Sequence, residues 1–508
     1  MDKKQKYILV TFLLGVFMGA LDQGIITPTF SSIAEGFGIE YNLAVWGLTI
    51  YTLSYAVSIP IMGKLADRYG RKRLFMVGVG LFGLGSFVAG TTGNFYLFLA
   101  ARAIQAIGGG GIFPIANAQV AATFPPEKRG VALGMVGAIF GIASLIGPNL
   151  GGLIIDFFDW QWVFLINVPI SIILILMSLK IEETREAVQR PLDLGGVLVV
   201  SIAIFCLMYG ITHLDRNDLV GSLLGINVWG YFVAVLLLIP ILIFVEKRAQ
   251  DPILNLQYFT QRNTLVTLLV GLSTGLLMSV MFFVPLFAET VVGVDKGTAG
   301  YLMTPLALAS GIGAPVGGAL LHKRGPKLVM LSGFLVVGLS SLGMAYAVSG
   351  VVSFIIVTFV MGFGFGLVIG APLNEMMFRN VDKHESASAL ASLSLFRSIG
   401  TSLGPTLAGA MLAGVGPEIG RRLSTLMPSG MTGTAMSGGN MNFDAGALEE
   451  MTASIPEPAR SEVLGQIEAL VHEVFHASFT DLYILGIVFA LLGTLLILFY
   501  RDKKSTQQ

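Results

Sequence analysis

Five ionisable residues, Asp22, Arg102, Glu289, Glu375 and Arg397, interrupt long apolar runs of this sequence. Inside hydrocarbon each costs at least about 2.5 kcal/mol at mid-helix, so a charge retained there is expected to be functional. Asp22 is the clearest case. In a helix rising about 1.5 Å per residue it lies about 24 Å from Lys6, with no other charge between them. A carboxyl group in so poor a dielectric can take up and release a proton. Exposed to the two sides of a membrane in turn, it would couple that proton to the movement of a second solute. The competing reading is a static Asp22 that accepts a hydrogen bond from a neighbouring helix. Arg102 cannot readily shed its charge. Either it balances an acid or a backbone carbonyl within the protein, or it extends along its own stem to the interface.

The remaining charges are more ambiguous. Glu375 falls at Gln119 plus the offset of an internal repeat, which would set the two on related faces of a central cavity; Arg379, four residues on, equally allows a surface pair. Glu289 lies near the end of its run, where an interfacial position costs little. Arg397 is mid-run and needs a partner, with Glu375 and Glu289 as candidates. Gln23, beside Asp22, joins these as a possible substrate contact. The 34 Phe and 21 Met suit an adaptable apolar cavity, although most are expected to pack or face lipid.

Other chemistries find no support. The sequence contains no Gly-x-x-x-x-Gly-Lys-[Ser/Thr] phosphate loop, which argues against an ATP-driven pump. Its five His are scattered, and Cys206 stands alone in an apolar run, so neither a metal centre nor an internal disulfide is expected. No nucleophile and base are singled out together. The chain is therefore expected not to be an enzyme and to need no cofactor. Lys plus Arg and Asp plus Glu each number 31, which removes any global attraction to nucleic acid.

The elements that hold these residues are membrane helices. Over 508 residues the chain is 54% hydrophobic and 12% charged, against about 25% charged in ordinary soluble domains. Its mean hydropathy is +0.79. Backbone polar groups in a bilayer must be satisfied within the segment, so each crossing needs about 20 mainly apolar helical residues. The runs 7–29, 44–63, 74–92, 95–123, 131–155, 162–180, 194–213, 225–246, 264–289, 297–321, 328–349, 351–378, 385–414 and 481–500 predict fourteen. The first is read as a retained helix rather than a cleaved signal peptide. With the N-terminus inside, about 24 Lys and Arg fall on the cytoplasmic side and about 5 outside, so both termini are expected in the cytoplasm. The hydrophilic stretch 415–480 is then extracellular. Its Leu464, Ile467, Leu470, Val471 and Val474 predict an amphipathic helix that rests on the membrane, meets a partner or simply connects.

Gly63-Lys64-Leu65-Ala66-Asp67-Arg68-Tyr69-Gly70-Arg71-Lys72-Arg73 follows the second run, and Gly318-Ala-Leu-Leu-His-Lys-Arg-Gly325-Pro-Lys327 follows the tenth, about 255 residues later. Gly108 to Gly111 are echoed by Gly362, Gly364 and Gly366. This predicts two related six-helix bundles, 1–180 and 263–508, with a linker and inserted pair at 181–262. In the first loop, glycine permits close backbone approach, and Asp67 offers an acceptor to a helix N-terminus or to Arg71.

That loop resembles the signature between helices two and three of the major facilitator superfamily. Leu21-Asp22-Gln23-Gly24-Ile25-Ile26-Thr27-Pro28, Arg102-Ala-Ile-Gln105-Ala-Ile-Gly108-Gly-Gly110-Gly and Trp160-Gln161-Trp162-Val-Phe164-Leu-Ile-Asn167-Val-Pro169 resemble its fourteen-helix drug:H⁺ antiporter branch. So do Arg397-Ser-Ile-Gly400-Thr-Ser-Leu-Gly404 and Gly137-Ala-Ile-Phe-Gly141 continuing to Gly147-Pro148-Asn149-Leu-Gly151-Gly152. The last is similar to the antiporter motif of helix five. Gln161 stands where the family commonly has arginine, and Glu289 where it commonly has glutamine.

The resemblance implies a multi-pass exporter in the cell membrane. It would act as a monomer and expel hydrophobic or amphipathic, cationic compounds against inward proton flow by alternating access. Asp22 is expected to carry the proton, Arg102 to regulate it and Glu375 to act as a second acid. Gly63, Asp67, Arg68, Gly70, Arg71 and Lys72 would form the gating loop. Export of lipids or their precursors, with 415–480 handing them to an extracellular partner, is the alternative within transport. A membrane sensor without transport is the alternative outside it.

Overall fold

A chain with this little polar surface satisfies its backbone by coiling, and the described residues contain helices and no strand. The computed structural model describes residues 2–26, 29–39, 41–44, 46–183, 193–215, 218–294, 301–426 and 459–501. Its main helices are α1 (Lys3–Ile25), α2 (Trp46–Tyr69), α3 (Arg71–Thr91), α4 (Phe95–Thr123), α5 (Pro126–Phe157), α6 (Asn167–Leu179) and α7 (Leu194–Thr212). They continue with α8 (Ile226–Arg248), α9 (Arg262–Phe282), α10 (Thr304–Tyr346), α11 (Val351–Ile369), α12 (Ala371–Phe378), α13 (Ser386–Leu412) and α14 (Ala459–Leu498).

Local chemistry sets several boundaries. Asn94 accepts from the backbone N–H groups of Tyr96 and Leu97 at 2.9 and 3.2 Å and so opens α4. Asp193 accepts from Gly196 N–H at 2.8 Å and opens α7. Gly70 separates α2 from α3 with φ +104°, and Gly325 bends α10 with φ +74°. These two are the paired glycines of the repeated loops, and L side chains rarely adopt such backbone angles.

Packing repeats along with the loops. In α4, a Cβ at Gly108 would strike α3, 2.6 Å from Phe82 N, and one at Gly110 would strike α2, 2.8 Å from the Tyr55 carbonyl. In α11, Gly362 meets Leu306 in the first arm of α10, while Gly364 meets Val336 and Val337 in the second. Small residues let the backbones close to van der Waals contact in both places.

Within the first half, α1 packs on α4 and α5, and α4 on α2 and α3; in the second, α10 packs on α11 and α14, and α9 on α13. The halves meet where α5 crosses α10 and where α2 crosses α13, while α7 and α8 pair with each other and α7 leans on α2 and α13. Only 6% of the apolar window in Val228–Arg248 is buried, which puts α8 at the periphery, its surface left to lipid.

Twelve helical stretches among the described residues are long and apolar enough to cross a membrane. Two features separate that number from the expected fourteen. Tyr301–Tyr346 runs through the bend at Gly325 and holds two of the predicted crossings, and α2, diluted by Tyr, Ser and Thr, is not among the twelve.

The amphipathic helix expected in 415–480 is present. A helix Val415–Leu426 follows α13, and the amphipathic residues open α14, which continues without a break into the last crossing. Their apolar face is covered by the chain itself: Ile467 packs with Leu423, and Leu470 and Val474 with Val415 and Ile419. That face is therefore not presented to a membrane surface. Residues 427–458, which include a Gly/Met/Ser-rich piece from Ser429 to Asn442, lie outside the described residues.

Candidate functional site

α1 carries Asp22 to the centre of the first half, where it is 1% exposed and meets Arg102 of α4, 0% exposed. Arg102 Nη1 lies 3.3 Å from Asp22 Oδ2 and donates to it. Oδ1 accepts from Gln105 Nε2 at 2.8 Å and from Asn167 Nδ2 at 3.0 Å. Gln105 in turn donates to Ser86 Oγ at 2.8 Å and accepts from Arg102 Nη1 at 2.5 Å, while Arg102 Nε reaches the Gly47 carbonyl at 3.3 Å. The guanidinium carbon stands 4.2 Å from the Tyr51 ring centroid and 5.2 Å from that of Phe164. Helices α1, α2, α3, α4 and α6 thus converge on one neutral pair, its carboxylate oxygens supplied with three donors. Interfacial extension of Arg102 does not occur. Gln105 and Asn167 carried a weak signal, each a polar residue within an apolar run.

The glycine-rich motif of α5 serves two contacts rather than one. Beside Asp22, a Cβ at Gly147 would come 2.9 Å from Gly24 Cα and 3.0 Å from Ile25 N, and one at Gly24 would come 3.0 Å from Pro148 Cδ. This part binds α5 to α1 within the first half. Gly137 and Gly141 face the other half: their Cβ positions fall 2.7 Å from Gly370 Cα and 3.0 Å from Ser310 Oγ. Gly130 and Gly134 continue that contact against Gly318 and Ala314 of α10. Gly151 is buried and Gly152 half-buried, with nothing near the Cβ position of Gly152.

The face bearing the repeated basic loops is closed. Asp67 caps α13: Oδ2 accepts from Ser388 N–H and Ser388 Oγ–H, each at 2.7 Å, and Oδ1 accepts from Ala387 N–H at 3.1 Å. Arg71 donates to Ser386 Oγ at 2.6 Å and to the Ala118 carbonyl at 3.2 Å, with Asp67 3.9 Å away. Gly63 lets α2 approach the Ala387 carbonyl, 2.9 Å from its Cβ position. Beyond Gly70, Glu183 accepts from the N–H groups of Lys72 and Arg73 at 3.2 and 3.0 Å. Lys64 and Arg68 both pair with Asp251 from the linker after α8, Arg68 at 3.4 Å. The same linker sends Asn255 and Tyr258 to Glu385, at 2.9 and 3.0 Å. Burial, then the Glu385 carboxylate, pushes the Tyr258 hydroxyl well above its usual range, which keeps it a donor. Loop spacing marked Asp67 and Arg71; Asp251, Glu183 and Glu385 were not distinguishable from other polar loop residues.

The expected partners of Arg397 need correction. Arg397 pairs with neither candidate acid: Glu375 is held by Arg379 at 3.1 Å, and Glu289 lies half-buried in the short helix Val284–Thr290 beyond α9. Arg397 stacks on Phe113 and Phe140 instead, its guanidinium carbon 4.4 and 5.2 Å from their centroids. The repeat offset relates Gln119 to Glu375. Gln119 is buried and donates to Thr123 Oγ1 of its own helix at 3.4 Å, and their neighbours make the contact between halves, Asn374 Nδ2 donating to Asn117 Oδ1 at 2.9 Å. Gln23 is half-buried near Tyr55, which also faces Arg397.

A buried ion pair in one helical half, a capped closure between halves and apolar surface all round define a polytopic membrane transporter. The Major Facilitator Superfamily model matches residues 12–405, and the chain belongs to that family. It is a transporter and not an enzyme. It is 42% identical to the Bacillus subtilis "Uncharacterized MFS-type transporter YfiU", over 97% of this chain and 96% of that one. It is 30% identical to "Multidrug resistance protein 3" of the same organism, over 97% and 94%. "Multidrug export protein EmrB" of Haemophilus influenzae is 28% identical, over 79% of each chain. Among solved structures, the human organic anion transporter MFSD10 (TETRAN) shares the fold with a TM-score of 0.60 at 13% identity, over 96% of this chain and 100% of that one.

Proposed function

We propose that this chain is a proton-coupled antiporter that exports hydrophobic or amphipathic compounds across the cell membrane by alternating access. The observation that carries the reading is the Asp22–Arg102 pair, buried to 1% and 0% in the interior of a Major Facilitator chain. Relatives named for multidrug resistance and multidrug export, aligned over most of the chain, support the solute class.

In this reading the basic face and both termini are cytoplasmic, the chain crosses the membrane fourteen times, and the protein acts as a monomer. Residues 1–180 and 263–508 rock against each other, with the inserted pair of 181–262 alongside. Asp22 is the proton carrier. In this scheme, protonating Asp22 removes the counter-charge of Arg102 and favours a different arrangement of the halves. Asp67, Arg71 and the α5 glycines then part from α13 and α10 to open the cytoplasmic side. Glu375, paired with Arg379 at 3.1 Å, is the second acid in this scheme.

Reconstituted protein tests it. An imposed proton gradient should drive uphill movement of an amphipathic dye by wild type, and Asp22→Asn should abolish that while leaving the protein folded. Uphill transport at wild-type speed without the Asp22 carboxyl would overturn the mechanism. Binding without flux would make the protein a sensor, and movement of labelled lipid alone a lipid exporter.

A further inference from the structure

Among the described residues Arg397 has no counter-ion. It stands in the middle of α13, and among the described residues its guanidinium takes part in no ion pair and no hydrogen bond. Two rings of the opposite half hold it instead. Phe113 and Phe140 sit edge to face with centroids 5.0 Å apart, and the guanidinium carbon lies over both. Tyr55 is the titratable group that faces it. The acids that could have neutralised it are committed elsewhere: Asp22 to Arg102, Glu375 to Arg379, Asp67 to the start of α13.

An arginine keeps its charge, and a ring face compensates only part of the hydration lost on leaving water. Arg102 shows how this protein treats a permanent cation: it supplies a carboxylate and two amide partners. Arg397 receives none of these, and it is half-buried where Arg102 is fully buried, as are its neighbours Tyr55 and Gln23. Its free fork of N–H donors matches the planar or tetrahedral oxygens of a carboxylate, sulfonate or phosphate. The aromatic pair beside it offers a flat apolar wall. We propose that Arg397, with Phe113, Phe140 and Tyr55, forms a binding site for an amphiphile carrying an anionic group, with its apolar body against the rings.

This inference rests on the export reading and narrows it, since the family resemblance implied cationic solutes. A lipid headgroup and a soluble amphiphile share the required chemistry.

The test is equilibrium dialysis of purified protein in neutral detergent, with no gradient present. The probes are radiolabelled naphthalene-2-sulfonate and the cation tetraphenylphosphonium. Wild type should bind the sulfonate at least ten-fold more tightly than the phosphonium. Arg397→Gln should weaken sulfonate binding at least ten-fold and leave phosphonium binding unchanged, while Arg397→Lys should retain part of the preference. Wild type preferring the phosphonium, or Arg397→Gln weakening both probes equally or neither, overturns the proposal. The wild-type comparison decides the matter even if the variants do not fold. Displacement of sulfonate by phosphatidylglycerol assigns the site to a lipid headgroup, and its failure assigns it to a soluble amphiphile; either upholds the anion site. Anion binding by a protein that shows no uphill flux in proteoliposomes retains this site and sinks the exporter reading, whereas flux of the phosphonium without anion binding does the reverse.

Discussion

Arg102 stays charged at any pH a cell offers, so Asp22 is what keeps the interior of the first half neutral in this state. Removing one member of a fully buried pair leaves the other uncompensated, at a typical cost of about 3–5 kcal/mol. Arg102→Gln is therefore expected to lower the thermal stability of the detergent-solubilised protein more than the double variant Asp22→Asn/Arg102→Gln does. Thermal unfolding of the four proteins gives the coupling energy, expected above about 1 kcal/mol; additive losses would show that the pair is not formed. Asp22 and Arg102 were legible as residues because a charge in an apolar run has few explanations. Their pairing was not, since it depends on how far α1 and α4 overlap in height. Gln105 and Asn167, which complete the shell, are neutral amides of a kind that also occurs at ordinary packing contacts. Arg397 was legible as an anomaly, but the rings that hold it lie on α4 and α5, and sequence spacing does not report contacts between halves.

At the scale of elements, the linker after α8 works as a strap. Asp251 holds Lys64 and Arg68 on α2, Asn255 and Tyr258 hold Glu385 just before α13, and Asp67 joins the same two helices directly. The inserted pair is thereby tied to the closure it flanks. Asp251→Ala and Asp67→Ala should each loosen the basic face, the second by about 0.5–2 kcal/mol through loss of a helix cap. The check is the labelling rate of a cysteine at Asn117 (Asn117→Cys in a Cys206→Ser background) by a membrane-impermeant maleimide. A several-fold rise is expected, and unchanged labelling in both variants would show that neither contact holds the face shut. The α5 motif allows a sharper contrast, because its glycines differ in surroundings. Gly147→Ala drives a methyl group into α1 beside Asp22, an overpacking cost of about 1–3 kcal/mol. Gly152→Ala meets open space and should leave proton-driven dye transport at the wild-type rate, while Gly147→Ala reduces it. Equal effects would mean that the motif acts as a unit rather than through this crossing.

For the whole molecule, the fold was readable because a long repeat with basic turns admits few architectures: Gly70 and Gly325 take matching positive φ angles about where the offset puts them. The packing of 415–480 was not readable, because an amphipathic period says that a face is buried without saying by what, and here Val415–Leu426 buries it. What the assembled molecule adds is the sign of its interior. Asp22 cancels Arg102, and no described acid pairs with Arg397, so the surroundings of Arg397 are positive before any solute enters. If the solute is a monovalent anion exchanged for one proton, each cycle moves two charges in the same electrical sense. A membrane potential then contributes about 2.3 kcal/mol per elementary charge per 100 mV, and both charges draw on it. Exchange of a monovalent cation for one proton would be electrically silent. Proteoliposomes with potassium diffusion potentials set by valinomycin separate the two. Naphthalene-2-sulfonate should leave the basic-face side several-fold faster when that side is negative, and slow when the potential is clamped to zero at the same proton gradient. Sulfonate export indifferent to the potential would show that the positive interior does not set the charge moved per cycle.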